Sequence, residues 1–88
     1  MSYGLELGHQ AQKALKLLDK ATIKRLEQRF MEISLDPIDR RKSKPLEMGE
    51  GEWTSRVGRW RIIYAVNEAQ KSIYVLSIEP RSKAYRRF

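Results

Sequence analysis

The sequence predicts an α+β domain in which a small, mostly antiparallel β-sheet packs against an N-terminal helical hairpin, in the order β-α-α-β-β-β. Residues 10–35 carry apolar side chains at helical spacing, whereas residues 53–64 and 73–79 carry them at strand spacing. Gly58-Arg59 separates two of these strands and is typical of a two-residue hairpin turn. The 88 residues, 1–88, are expected to form a single domain.

The first 35 residues predict one strand followed by two helices. Alternating apolar residues indicate a strand over residues 3–8. A first helix is predicted from Gln10, and a second from about Lys20 to Leu35, with Asp19 capping it by accepting a backbone N–H. The charged residues of the second helix are expected to face away from its apolar stripe: Lys24, Arg25, Glu27, Arg29 and Glu32.

Residues 37–52 are predicted to be a connector. Pro37 ends the second helix, because the residue before a proline disfavours the α conformation. Pro45 and Gly51 favour turns within the connector. Its basic run, RRKSK at residues 40–44, has two readings: a solvated stretch, or a track along a nucleic-acid backbone.

The central hairpin brings two arginines together. A two-residue turn pairs Val57 with Trp60 and therefore sets Arg56 directly opposite Arg61. Paired side chains share a face with Cβ atoms about 5 Å apart, where like charges repel each other. The arrangement therefore indicates that something anionic binds between them.

The last strand returns the chain to the arginines of the hairpin. Residues 67–72 predict a reversal and residues 73–79 a strand, apolar on both faces and therefore expected to be covered on both sides. Its end would lie beside Arg61, which brings Arg81 and Tyr85 to the same end of the sheet. The tail beyond it is read either as a short C-terminal helix or as a loose end.

Composition narrows the class of function. The net charge of +7 and the pI of about 10.0 predict an anionic partner: nucleic acid, an anionic surface or an acidic protein. No cofactor or metal is expected, because the chain has no cysteine and one histidine, and no carboxylate pair is placed to hold Mg²⁺. No apolar run approaches the roughly 18 residues of a membrane span, and no signal peptide is visible, so a cytoplasmic location is expected.

The order of these motifs resembles the RelE/ParE superfamily of small bacterial and archaeal toxins from type II toxin–antitoxin systems. The block WTSRVGRWRIIYAV, residues 53–66, resembles the family run W-x-x-R-V-G-x-Y-R-I-I-Y. The ending IYVLSIEPRSKAYRRF resembles the run V-Y-I-L-x-I-x-H-R-x-x-x-Y-R. Asp36-Pro37 and the KPL of residues 44–46 add to a likeness that covers nearly the whole chain and favours the RelE-like branch and fold.

The RelE branch implies a metal-independent endoribonuclease that cuts mRNA in the ribosomal A site and so inhibits translation. Attack by the 2′-hydroxyl leaves a 2′,3′-cyclic phosphate and a 5′-hydroxyl. By position, the resemblance implies that Arg61 stabilises the charge on the scissile phosphate and that Arg81 contacts the phosphate near the leaving group. It implies that Tyr85 takes part in proton transfer and in base stacking. The cations expected to bind RNA are Lys42, Lys44, Arg56, Arg59, Lys83 and Arg86.

Several positions depart from the family pattern. Thr54 stands where the family has a second strand cation, so either Lys42 or Lys44 compensates or activity is weaker. Pro80 replaces a common histidine, and Lys83 stands where many members have glutamate. The loss of the histidine limits any mechanism that uses an imidazole there.

Other functions remain open at this point. ParE-type members inhibit DNA gyrase by protein contact. The chain is alternatively a catalytically inactive corepressor that binds an antitoxin, or a plain RNA-binding module. The toxin readings imply a cognate antitoxin, RelB-like and acidic or amphipathic, which would bring operator DNA as an indirect partner, beside mRNA and the ribosome and without a membrane.

Overall fold

Two helices and five strands form the part of the chain that the computed structural model describes, residues 2–47 and 49–80. The predicted α+β class is confirmed. In chain order the elements are β1 (Gly4–Leu7), α1 (His9–Lys16), α2 (Lys20–Leu35), β2 (Ser43–Pro45), β3 (Trp53–Val57), β4 (Trp60–Asn67) and β5 (Ser72–Pro80). None of the described helices is long and apolar enough to cross a membrane.

The strands form one sheet in the order β1-β5-β4-β3-β2. β1 runs parallel to β5, and every other neighbouring pair is antiparallel. The predicted element order missed β2, which lies inside the predicted connector and pairs with β3. β2 has three residues and ends in Pro45, which cannot donate to a sheet ladder, so its sequence carries little strand signal.

The local predictions for α2 and the central hairpin agree with the structure. α2 has the predicted bounds, and Gly58 turns the chain with a φ of +59°, a conformation that glycine adopts without strain. Asp19 occupies the N-cap position, but its carboxylate accepts a hydrogen bond from the Thr22 hydroxyl rather than from a backbone N–H. This bond lowers the pKa of Asp19.

The core lies between the helices and one face of the sheet. At its centre, Tyr64 is fully buried and donates a hydrogen bond of 2.6 Å to the carbonyl of Pro37, just beyond α2. The bond satisfies two buried polar groups at once and ties the middle of the sheet to the end of the helix. The core comprises Ala11, Leu26, Phe30, Ile33, Val57, Ile62, Tyr64, Ile73, Val75 and Ile78.

A β-bulge in β5 decides which residues of this strand face the core. Ser77 and Val75 pair with consecutive residues of β4, which leaves Leu76 as an extra residue. Alternation along β5 therefore shifts by one position at Leu76. As a result Ile78 joins the core, and Glu79 lies on the other face of the sheet.

The expectation that β5 is covered on both sides is wrong for its middle part. Tyr74 is 43% exposed and Leu76 is 39% exposed. The two described helices cover only the face that carries Ile73, Val75 and Ile78. The bulge moves the core-facing positions of β5 from odd to even numbers, and this accounts for the apolar residue at position 78.

Candidate anion-binding site

The sheet face turned away from the helices, here called the second face, carries the predicted arginines. Because paired residues share a face, the β3–β4 pairing of Arg56 with Arg61 places both side chains there. Neighbouring residues in β4, Trp60 and Ile62, contact the core instead. The second face comprises Lys44, Thr54, Arg56, Arg61, Ile63, Ser77 and Glu79.

Arg61 has a cationic neighbour on one side and an anionic neighbour on the other. Its cross-strand partner in β3 is Arg56, as the hairpin predicts, and its partner in β5 is Glu79. Arg56 is exposed, whereas Arg61 is 8% exposed and Glu79 is 4% exposed. An external anion is therefore not the only group that can stabilise the two arginines, because the chain supplies the carboxylate of Glu79 in the same row.

Lys44 lies directly opposite Thr54 across β2 and β3. Thr54 is 2% exposed, so this position of β3 presents no charge to solvent. Lys44 is exposed and shares a cleft with Arg56, which lies two residues beyond Thr54. The short strand β2 thus brings a cation to the place where the family pattern has one on β3.

A cleft of about 280 Å³ opens between β3 and the segment that leads into β2. Six of its lining residues are cations and none is a carboxylate. This concentration of positive charge suits a chain of phosphates. The lining residues of this basic cleft are Arg29, Arg40, Arg41, Lys42, Ser43, Lys44, Thr54 and Arg56.

Asp39 lies beside the basic cleft and organises its rim. The Asp39 carboxylate accepts hydrogen bonds from the Arg41 side chain and backbone, and Lys42 Nζ lies 3.5 Å away. The Arg41 side chain is the largest cause of a pKa of Asp39 well below its ordinary value. The Asp39 carboxylate therefore stays ionised and holds the Arg41 side chain in place at the edge of the cleft.

Arg40 is held against an aromatic ring at the edge of the basic cleft. Its guanidinium carbon lies 5.8 Å from the centroid of the Trp53 ring, within the range of a cation–π contact. Trp53 is half-buried and also packs against the core. Trp53 therefore acts as a rim residue that links the core to the basic segment.

Arg29 was predicted to face away from the apolar stripe of α2, and this prediction is wrong, because its side chain turns towards β3. Its Nη1 donates to Ser55 Oγ at 2.7 Å and to the carbonyl of Arg56 at 2.9 Å, both on β3. The spacing contains a signal for this position: Arg29 follows Leu26 by three residues and precedes Ile33 by four, and both are buried. A cation flanked in this way lies at the border of the apolar stripe rather than opposite it.

The structure brings together four of the predicted site residues. Lys42, Lys44 and Arg56 line the basic cleft, and Arg61 is the cross-strand neighbour of Arg56. Arg59 is exposed at the tip of the hairpin and lines a separate cleft with Asp19 and Trp60. The other predicted residues lie outside the described residues: Arg81, Lys83, Tyr85 and Arg86.

Neither a metal site nor a metal-binding cluster appears in residues 2–47 and 49–80, where no three histidine or acidic side chains come together to hold an ion. The chemistry that the described site offers is that of guanidinium and ammonium groups. These groups bind phosphate strongly, and guanidinium does so in bidentate fashion.

Comparison with protein families now defines the class of protein. Residues 5–85 match the family model described as the ParE toxin of type II toxin–antitoxin systems, parDE. The chain therefore belongs to the RelE/ParE superfamily of type II toxins, as the sequence motifs predict. A comparison with curated protein sequences gave no match.

Solved structures of RelE toxins share the fold. A chain of the archaeal RelE–RelB complex from Pyrococcus horikoshii OT3 is 31% identical, with a TM-score of 0.81, over 94% of this chain and 99% of that chain. The RelBE2 complex of Mycobacterium tuberculosis gives 22% identity and a TM-score of 0.80, over 92% and 100% of the chains. A chain of the E. coli RelBE complex is 17% identical, with a TM-score of 0.78, over 90% of this chain and 96% of that chain. The 31% identity to the Pyrococcus horikoshii chain supports the RelE-like branch, and the other two structures share the fold.

Proposed function

We propose that this toxin is a ribosome-dependent, metal-independent endoribonuclease that cuts mRNA in the cytoplasm and so inhibits translation. The observation that carries the proposal is the pairing of Arg56 with Arg61 on the second face, beside a cleft lined by Lys44 and other cations. The 31% identity to the archaeal RelE chain supports the same branch.

In the proposed reaction, the 2′-oxygen of a ribose attacks the adjacent phosphorus and loses its proton to a base. The bond from phosphorus to the 5′-oxygen breaks, and the leaving oxygen takes up a proton. The products are a 2′,3′-cyclic phosphate and a 5′-hydroxyl, so atoms and charge balance without a cofactor. Negative charge grows on the phosphate oxygens in the transition state, where fixed cations stabilise it.

Three of the described cations have a proposed role in this reaction. Arg61 stabilises the charge on the scissile phosphate, and Arg56 and Lys44 hold the phosphates on either side. Arg81 at the leaving group and Tyr85 in proton transfer are proposed from the family resemblance. Because Arg61 is only 8% exposed, the proposal requires that its guanidinium become more accessible when RNA binds.

A cognate antitoxin is the proposed protein partner, because several similar structures are complexes of RelE with RelB. The net charge of +7 favours an acidic or amphipathic antitoxin segment that folds as it covers the toxin. Through such an antitoxin the toxin would also associate with operator DNA.

A second candidate function is inhibition of DNA gyrase by protein contact. The observation that favours it is the matched family model, whose description names the ParE toxin. In that case the cations of the second face would have no catalytic role, and their removal would leave toxicity unchanged.

Mapping of mRNA 5′ ends on programmed ribosomes tests the proposal. We expect A-site cuts with the wild type and with Lys20→Gln, a charge control at the far end of α2, but not with Arg61→Ala. Because Arg61 is buried, a folded Arg56→Ala variant is included, and we expect it to cut at least tenfold more slowly. Absence of cuts with folded wild type would contradict the proposal, and inhibition in a gyrase supercoiling assay would then support the second candidate.

A further inference from the structure

Arg29 connects three parts of the chain through one half-buried guanidinium. Nη1 donates to Ser55 Oγ at 2.7 Å and to the carbonyl of Arg56 at 2.9 Å, and it lies 3.4 Å from the carbonyl of Lys42. Nε donates to the carboxylate of Glu32 at 2.9 Å, one turn along α2. The contacts join α2, β3 and the basic segment, residues 40–44, whose last two residues belong to β2.

Ser55 completes the link to the basic segment. Its hydroxyl is buried, accepts from Arg29 and donates to the carbonyl of Lys42 at 2.7 Å. The backbone N–H groups of Lys42 and of the next residue, Ser43, both donate to the carbonyl of Asp39. The backbone at Lys42 is therefore fixed from two directions.

We propose that Arg29 is a positioning residue that holds residues 40–44 as one wall of a binding site for the phosphodiester backbone of single-stranded RNA. The site is the basic cleft, and it lies next to the Arg56–Arg61 pair. The inference rests on the proposed function, because it takes the ligand to be RNA, and it extends the site from the scissile phosphate to the neighbouring backbone.

The geometry distinguishes positioning from simple charge. The charge of Arg29 is already opposed by Glu32 at 2.9 Å, and the atoms that Nη1 contacts are a hydroxyl and backbone carbonyls. A guanidinium presents several donors in a fixed plane, whereas an ammonium is a compact point charge on a flexible stem. Lysine at position 29 would keep the charge and lose the simultaneous contacts.

The test compares Arg29→Lys with Arg29→Gln, using Lys20→Gln as the control for loss of one charge on the same helix. Binding of a short fluorescent single-stranded RNA is measured by anisotropy, and ribosome-dependent cleavage gives kcat and KM. We expect both Arg29 variants to bind RNA about tenfold more weakly. We expect KM to rise while kcat is retained, and Lys20→Gln to stay within about twofold of wild type.

Amide hydrogen exchange distinguishes a local loosening of residues 42 and 43 from a loss of stability of the whole domain. In Arg29→Lys the amides of Lys42 and Ser43 are expected to exchange at least tenfold faster, while the core amide of Ile62 keeps its wild-type rate. If the Arg29 variants fail to fold, Ser55→Ala removes the linking hydroxyl and is expected to accelerate the same two amides and to weaken RNA binding about threefold.

Two results would overturn the inference. If Arg29→Lys and Ser55→Ala both bind RNA as tightly as the wild type, the hydrogen bonds of the Arg29 guanidinium have no effect on the site. Failure of the wild type itself to bind or cut RNA would remove the proposed function and this inference with it. The first result, obtained with a wild type that cuts RNA on the ribosome, would remove the inference alone, so the two failures are distinguishable.

Discussion

Arg61 and Glu79 stand directly opposite each other on the neighbouring strands β4 and β5, and both are almost completely buried, at 8% and 4% exposure. Arg56 flanks Arg61 on its other side, so one row across three strands carries two positive charges and one negative charge. A buried charge is costly unless a neighbouring group offsets it. The carboxylate of Glu79 therefore limits the cost of placing Arg61 inside the sheet.

Glu79→Gln removes the negative charge of this row while keeping the shape of the side chain. We expect it to lower the free energy of unfolding by about 3 kcal/mol, because the buried guanidinium of Arg61 then loses the negative charge beside it and keeps only the like charge of Arg56 on its other side. Urea unfolding measures the change, and Glu6→Gln on the exposed edge of β1 serves as the control. Adding Arg56→Gln to Glu79→Gln should recover part of the loss; no recovery would contradict like-charge repulsion as the cause.

Tyr64→Phe tests the link between the centre of the sheet and the end of α2. The substitution leaves the buried carbonyl of Pro37 without its donor, and we expect a loss of about 1–2 kcal/mol in thermal unfolding. For a domain of this size that loss corresponds to a Tm lower by about 4–16 °C. Tyr74→Phe removes the same atom from a side chain that is 43% exposed and should change stability by less than about 0.5 kcal/mol.

Stability should fall at alkaline pH because of Tyr64. Burial raises the pKa of Tyr64 above its ordinary value of 10.0, so the unfolded chain ionises this phenol first. The stabilisation is present below pH 10 and declines as the pH rises from there through the higher pKa of the folded state. The stability difference between wild type and Tyr64→Phe should be constant from neutral pH to about pH 9 and shrink above pH 10, which chemical denaturation at each pH measures.

Lys44 is predicted to replace the cation that the family pattern places at Thr54. Lys44→Gln should weaken binding of single-stranded RNA about tenfold at low salt, and it should reduce the slope of log K against log salt by about 0.7, the share of one phosphate contact. Thr54→Lys should not raise activity. It would bury a charge opposite Lys44, so we expect a lower Tm instead. Higher activity at unchanged Tm would show that Thr54 is a vacant cation position.

Gly58 combines a special backbone conformation with a close neighbour. Its φ is +59°, and a Cβ atom there would lie 2.8 Å from Nη2 of Arg25. Gly58→Ala is therefore expected to cost about 1–2 kcal/mol in urea unfolding, through backbone strain and displacement of the Arg25 side chain. Arg25→Ala in the same background relieves only the contact, so full recovery in the double variant would show that backbone strain contributes nothing.

The features that the sequence predicts correctly depend on residues close together in the chain. The bounds of α2 follow from its apolar spacing and from Pro37, and the pairing of Arg56 with Arg61 follows from a two-residue turn at Gly58. Each needs only local geometry: the pitch of a helix, or the requirement that a short turn pairs its flanking residues.

The features that were missed depend on partners distant in sequence. β2 exists because residues 43–45 pair with β3, and nothing in three residues ending with proline requires that pairing. Arg29 turns inward because Ser55 and two carbonyls from other elements accept its hydrogen bonds. The neighbour of Arg61 in β5 is fixed only once the bulge at Leu76 is known.

The bulge at Leu76 makes the length of β5 as informative as its composition. Replacing Leu76 with another side chain leaves the alternation on both sides of it intact. Deleting Leu76 itself would remove the bulge and make Val75 and Ser77 neighbours in a regular strand, so that Ile78 would stay in the core and Glu79 on the second face. Natural variation in β5 among related toxins should therefore include chains that lack the residue at the Leu76 position, because its loss moves no other side chain to the opposite face.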